Sequence, residues 1–302
     1  QVMKQLVILS GKGGTGKTSI AAAFAHLLSL KNTPFKTVFA DADVDAANLE
    51  LVLSPSVISK EEFWGGSYAE IDPDDCTACG ICADVCRFDA VIVKEDLYTV
   101  DPIACDGCAA CVYQCPTETI KMIEQIAGEW YQSESLYGPL FHANLIPAQE
   151  NSGKLVTLVK QQARLLALDE AYDLVLVDGP PGIGCPVISA ASGADLALIV
   201  AEPTASGVHD MHRVLKTTAH FDVESLVCIN KADIYPEGTE EIEEFCRNEG
   251  IRLVGKIPFD LAVTESMVQG KPVTEYKADS PASLAIHDLW EEVMEVLQDL
   301  GT

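Results

Sequence analysis

Eight of the eleven cysteines fall into two short runs of identical spacing, and the second run repeats the first 29 positions later. The runs are Cys76-x₂-Cys79-x₂-Cys82-x₃-Cys86 and Cys105-x₂-Cys108-x₂-Cys111-x₃-Cys115-Pro116. Thiolates at this density are metal ligands; a disulfide framework belongs to small secreted chains, and this one has 302 residues. Three cysteines at such gaps wrap one face of an iron–sulfur cubane, and the fourth swings away to a neighbouring cluster. The spacing therefore predicts two [4Fe–4S] clusters, one on Cys76, Cys79, Cys82 and Cys115, the other on Cys105, Cys108, Cys111 and Cys86. Zinc is the competing chemistry, but Cys₄ zinc sites favour paired CxxC units over a duplicated four-cysteine run.

A second chemistry lies near the N-terminus. Gly11-Lys12-Gly13-Gly14-Thr15-Gly16-Lys17-Thr18 fits G-x-x-x-x-G-K-[ST], and Ser19 follows it. Such a loop turns its backbone N–H groups inward around phosphates, with a helix N-terminus behind it. Lys17 is expected to reach the β/γ-phosphates and the Thr18 hydroxyl to bind Mg²⁺. Residues 174–177 are apolar and end in Asp178, followed by Gly179-Pro180-Pro181-Gly182. That is a buried strand delivering a carboxylate to Mg²⁺, through a water, and then a loop able to report the γ-phosphate. Asp41, Asp43 and Asp45 close another short strand; a helix cap explains one of the three, but not all. Asn230-Lys231-Ala232-Asp233 follows a strand, as a base-recognition loop does. The same N-K-x-D letters read guanine in GTPases, and the bland alternative is a turn with an Asn cap.

These groups need a scaffold. Strand-sized apolar runs at 6–10, 37–41, 174–178, 196–200, 225–230 and 253–257 alternate with helical patterns at 18–30, 154–168, 206–220, 240–248 and 282–297. The alternation predicts an α/β fold with a mainly parallel sheet. It breaks between 68 and 123, where the chain is Cys-rich, with short β-like pieces and no long helical period. Asp72-Pro73 and Asp101-Pro102 share the 29-residue offset, so this segment is two copies of one small unit. The predicted organisation is a discontinuous P-loop domain, 1–66 and 127–302, interrupted by a small α+β module at 67–126. A surface-loop insertion of that kind costs little closure entropy.

The doubled cysteine run resembles two-cluster bacterial-type ferredoxins, departing from them at Arg87, where a Pro is usual. Lys12 at the head of the phosphate loop resembles the deviant Walker A lysine of the MinD, ParA and nitrogenase-iron-protein family. The resemblance implies an ATP-bound homodimer, or a heterodimer with a paralogue, in which Lys12 crosses to the partner's nucleotide; by chemistry alone Lys12 could be a solvated surface cation. The 41–49 segment resembles the family's switch I, which implies that Asp43 orients the attacking water and Asp41 stands near Mg²⁺ through a water. The same resemblance favours ATP over GTP, with Asn230 on adenine and the loop at Pro258 beside it. The whole pattern, including 128–154, resembles MinD-superfamily ATPases with an inserted ferredoxin domain. ATP hydrolysis is expected to be Mg-dependent, and slow or stimulated by a partner. Of the three other cysteines, Cys228 and Cys246 read as core. Cys185 reads as packing, although its distance from Asp178 matches a cluster ligand of the nitrogenase iron protein.

The chain carries 46 acidic against 20 basic residues, a formal charge of −26. Such a surface repels nucleic acid and anionic lipid, and serves either solubility or a basic docking partner. No apolar run approaches the roughly 18 residues of a membrane helix, which predicts a cytoplasmic protein. Three functions fit: ATP-gated electron transfer to a redox partner, a carrier for Fe–S or other metal cofactors, and a MinD-like spatial organiser with a redox sensor. The organiser ranks last, because 278–302 contains no Lys or Arg, whereas membrane-targeting relatives end in a basic amphipathic helix. Electron transfer ranks first, because the ferredoxin-type ligands look permanent.

Overall fold

A computed structural model describes residues 3–30, 33, 35–95, 97–147 and 151–300. The ends of the predicted P-loop domain, and 148–150 of the 128–154 segment, lie outside the described residues. In chain order the elements open with β1 (Lys4–Ser10), α1 (Lys17–Ser29), β2 (Thr37–Asp41), α2 (Leu49–Leu53) and β3 (Ser56–Ile71). Next come α3 (Ile81–Val85), β4 (Val91–Lys94), β5 (Leu97–Val100), α4 (Ala110–Gln114), β6 (Ile120–Ser135) and β7 (Gly138–Leu145). The remainder is α5 (Ser152–Asp169), β8 (Leu174–Pro181), α6 (Cys185–Ala191), β9 (Leu196–Ala201), α7 (Ala205–His220), β10 (Glu224–Asn230) and α8 (Pro236–Glu249). It closes with β11 (Arg252–Ile257), α9 (Leu261–Val268), α10 (Val273–Tyr276) and α11 (Pro281–Asp299).

The chain divides into two compact units, residues 1–60, 130–144 and 153–302, and residues 61–129 and 145–152. In the first, seven strands run in the order β11-β10-β9-β1-β8-β2-β7, and their pairings are parallel. The expected α/β fold with a mostly parallel sheet is thus observed. Its central strands are buried on both faces: Leu6, Val7, Ile8 and Leu9 of β1 and Leu174 to Val177 of β8 have no exposed surface. That is why these strands read as continuous apolar runs without alternation. Register pairs Asp41 with Asp178, so two carboxylates leave the sheet side by side. Phe24 of α1 meets Trp290 of α11 edge-to-face at 5.1 Å between ring centres. The apolar face of α11, including Leu289, Val293 and Leu297, is buried in this core. Among the described residues, no helix is long and apolar enough to cross a membrane.

In the second unit β4 and β5 form an antiparallel hairpin, and β6 lies beside β3. The cysteine repeat is also a structural repeat. Helices α3 and α4 sit one offset apart, as do the left-handed residues Ala78 and Gly107, Gly80 and Ala109, and Asp89 and Glu118. The halves exchange hydrogen bonds reciprocally: Asp72 N–H to Thr119 C=O at 3.1 Å, and Asp101 N–H to Ala90 C=O at 2.8 Å. Arg87 leaves this pattern intact, since Cys86 N–H still reaches Ala83 C=O as Cys115 N–H reaches Val112 C=O.

The expectation of only short β-like pieces in the Cys-rich region fails at its margins. β3 and β6 are 16 residues each, and both pass from one unit into the other. Lys60, Glu61 and Glu62 give β3 no apolar pattern, and most of it is exposed or half-buried; its order comes from backbone pairing, which hydrophobic periodicity does not report. Cys228 and Cys246 are buried, as expected. Cys185 is exposed at the start of α6, which corrects the packing assignment: that helix buries Val187, Ala190 and Ala191 instead.

Candidate functional site

The phosphate loop leaves the sheet at Ser10, and α1 begins at Lys17. Gly16 caps the helix with φ 93°, and a Cβ there would collide with the Asn230 amide, so both conformation and space demand glycine. Space beside Gly13 and Gly14 is open, and Thr18 and Ser19 stand half-buried in the first turn of α1. The loop is braced from below. Asn230 Nδ2 donates to Thr15 C=O at 2.7 Å, Lys231 Nζ to Gly14 C=O at 3.1 Å, and Ser10 Oγ to Lys12 C=O at 2.7 Å. Gly11 packs against Asp210 of α7. Lys17 is only 5% exposed, and the Thr15 hydroxyl is buried without a hydrogen-bond partner among the described residues.

Two carboxylates face this loop. Asp178 is fully buried and neither of its oxygens has a hydrogen-bond partner among the described residues. Burial raises its pKa to about 6, with Lys17 and the Thr18 hydroxyl pulling it down and Asp43 pushing it up. Lys17 alone does not offset the burial of this carboxylate, so Asp178 with Thr18 fits a Mg²⁺ ion. Asp41 is engaged differently: its oxygens accept Asp43 N–H at 3.1 Å and Leu49 N–H at 3.0 Å. It therefore holds both ends of the switch I segment. Burial, then Asp178, keep its pKa well above the carboxylate range. Asp43 is half-buried and near Lys17, and burial raises it too. At Gly179 a Cβ would approach Leu9 Cδ2 at 2.6 Å and Ile8 C=O at 2.7 Å, so the position directly after Asp178 has no room for a side chain.

Asn230 is committed to bracing the loop, its Oδ1 accepting from Lys231 N–H at 3.0 Å. Asp233 Oδ1 accepts Phe259 N–H at 2.6 Å, which ties the 230–233 turn to the loop at Pro258. Both lie at the same end of the sheet, with Asn230 paired to Ile257. Lys12 is not free: its Nζ lies 2.8 Å from Glu202 Oε2 and 3.2 Å from Thr204 Oγ1. The other Glu202 oxygen holds Lys231, so one acid at the end of β9 clamps two lysines of the site. Sequence reasoning missed Glu202; the only signal was an acid directly after a buried apolar strand.

A second unforeseen group links α2 to strands β6 and β7. His142 is buried, with Nε2 3.0 Å from Ser133 Oγ and Nδ1 2.9 Å from Glu50 Oε2. Burial lowers it to about 4, so the imidazole is neutral at pH 7. Ser133 is fully buried, and the group braces the fold, with no access for a substrate.

In the second unit, the structure gathers the eight repeat cysteines around two cavities. One is lined by Cys76, Cys79, Cys82 and Cys115. The other is lined by Cys105, Cys108, Cys111 and Cys86. All eight are free thiols, with Cys79 and Cys108 the exposed members. Each cavity takes three cysteines from its own repeat and the fourth from the other, which follows from the reciprocal exchange between halves. At Cys115, burial works against ionisation, but hydrogen bonds from Thr119 and Thr117 outweigh it and bring the thiol to about 6. Burial raises Cys82 and Cys111. Four soft donors around each cavity fit a cubane cluster.

A family model described as the CobQ/CobB/MinD/ParA nucleotide binding domain matches residues 6–273. An uncharacterized protein of Methanocaldococcus jannaschii is 34% identical over 299 residues, covering 98% of both chains. An iron-sulfur cluster carrier protein of Pyrococcus horikoshii is 24% identical over 312 residues, 98% of this chain and 87% of that one. Among solved structures, the Pyrococcus furiosus cell division ATPase MinD has a TM-score of 0.57 at 22% identity, covering 98% of this chain and 100% of its own. That likeness is one of fold.

Proposed function

The chain belongs to the CobQ/CobB/MinD/ParA family of nucleotide-binding proteins and is an ATPase, and from that premise we propose that ATP binding and hydrolysis gate electron transfer through two [4Fe–4S] clusters to a partner protein. The observation that carries the reading is the grouping of eight thiols, four to a cavity, in the same chain as a phosphate loop. Bound there, the clusters would supply one-electron chemistry at a potential that their surroundings tune. The second unit is then the inserted ferredoxin-like domain, and the first is the P-loop domain.

The nucleotide chemistry rests on charge and position. Lys17 neutralises the β/γ-phosphates, Thr18 and Asp178 hold Mg²⁺, and Asp43 orients water, with Asp41 fixing the segment that carries Asp43. Lys12 works across an ATP-bound dimer once it leaves Glu202. Adenine stacks near Pro258, while Asn230 contributes mainly by shaping the loop. Coupling follows the backbone. A shift in switch I moves Leu49 and α2, Glu50 transmits it to His142 and Ser133, and Ser133 sits on β6, which begins five residues after Cys115.

The carrier reading is favoured by one observation, the name of the Pyrococcus horikoshii relative. The organiser reading loses support, because α11 has its apolar face buried in the core and its exposed face carries Asp288, Glu291, Glu292 and Glu295 but no Lys or Arg. Anaerobic reconstitution followed by Mg-ATP, a chelator and an apo-ferredoxin separates the first two. Clusters retained through ATP turnover support electron transfer. Nucleotide-triggered movement of iron and sulfide to the apo-ferredoxin would replace it with the carrier function.

A further inference from the structure

Away from the phosphate loop, the first unit holds a cleft of about 420 Å³ between α5 and the end of α6. Its floor includes Gln5, at the start of β1, whereas the phosphate loop leaves the far end of that strand. Five residues at about 3.3 Å each separate the two ends, so the cleft is not part of the nucleotide site. The chain has more than twice as many acidic as basic residues, yet among the described residues no carboxylate lines this cleft; its charged members there are Lys160 and Arg164.

Lys160 is buried and donates to the carbonyls of Ser189, Ala190 and Ser192 at 2.6–2.7 Å, which anchors the end of α6. Arg164 lies one helical turn further on the same face of α5, exposed, with no ion pair among the described residues. Burial, then the charge of Arg164, lower Lys160 to about 8, as expected of two cations sharing a site without an anion. Gln5 is 3% exposed. Its backbone is fully used, N–H to Asp195 Oδ2 at 2.7 Å and C=O to Asp195 N–H at 2.9 Å. Its side-chain Nε2 is buried without a hydrogen-bond partner among the described residues.

We propose that this cleft is a binding site for a small oxyanion, a phosphate- or carboxylate-bearing metabolite, held by Arg164 and by the side-chain amide of Gln5. The hydroxyl-bearing Ser189 and Ser192 complete a wall of hydrogen-bonding groups at the end of α6. Because α6 starts three residues after Gly182, occupancy of the cleft bears directly on the helix that follows the Asp178 loop.

The test uses the full chain saturated with Mg-ADP, so that the phosphate loop is already filled. Thermal melting is followed while inorganic phosphate or citrate is added, against sodium chloride at matched ionic strength. At a concentration about tenfold above Kd, the melting temperature is expected to rise by about 3–6 °C. Arg164→Glu, a surface change, should abolish the rise; Gln5→Leu should abolish it while melting at or above wild type without anion. A response to one anion and not the other identifies the class of ligand. No rise with either anion, or an equal rise in wild type and Arg164→Glu, overturns the site.

Discussion

Asp178→Asn is expected to stabilise the nucleotide-free protein while abolishing its ATPase activity. Burial raises Asp178 from 3.8 to about 6, and Asp41 beside it is raised as well. A carboxyl whose folded pKa exceeds its unfolded value favours the fold when protonated. That contribution is whole below about pH 4 and is lost as pH rises through about 6. A gap of about two units is about 3 kcal/mol of destabilisation at neutral pH. At about 2–4 °C per kcal/mol for a unit of this size, the variant should melt about 6–12 °C above wild type. The assay is thermal melting in EDTA from about pH 4.5 to pH 8. The two proteins should converge at the acid end, where wild-type Asp178 is protonated. Mg-ADP should narrow the gap at neutral pH, because only the wild type gains a cation partner for its carboxylate. A variant that melts below wild type at neutral pH, or a gap that persists on acidification, would refute the reasoning.

Three further outcomes are expected. Cys115→Ala should lose about half of the bound iron, the same half that Cys76→Ala loses, and the double variant should lose no more; an iron assay in which Cys115→Ala behaves like Cys105→Ala contradicts the exchanged ligand. Glu202→Gln frees Lys12 and Lys231 beside the loop, an uncompensated charge worth about 1 kcal/mol, so Mg-ADP should bind about fivefold tighter by calorimetry, and with steeper salt dependence. Unchanged or weaker binding would remove Glu202 from the site. Trp290→Ala, which empties the contact with Phe24, should cost about 3–5 kcal/mol in denaturant unfolding; a loss below about 1 kcal/mol would mean that α11 is not core.

The parallel core was legible because central strands buried on both faces leave continuous apolar runs, as at 174–177, and the phosphate loop because its glycines and Lys17 have few other uses together. The cysteine repeat carried its own geometry: a 29-residue offset that recurs in φ angles and in reciprocal hydrogen bonds. What stayed hidden depends on tertiary placement. Glu202 is an ordinary acid until β9 brings it to Lys12. His142, Ser133 and Glu50 come from three elements with no spacing to announce them. β3 is hydrophilic and ordered by its neighbour strand, so no periodicity betrayed it. The resemblance places Asn230 on the base; that its amide also donates to Thr15 C=O depends on β10 lying beside the phosphate loop, which no spacing announces.

The central claim is that the nucleotide controls the redox centres, and an EPR-monitored redox titration of the anaerobically reconstituted protein tests it most directly. Compared without nucleotide, with Mg-ADP and with Mg-ATP, at least one midpoint potential should move between states. A shift of about 59 mV corresponds to a tenfold difference in nucleotide affinity between the oxidised and reduced protein. The Lys17→Ala variant should show no shift. Potentials and spectra that are the same in all three nucleotide states would contradict the account and leave the thiol unit uncoupled from the ATPase.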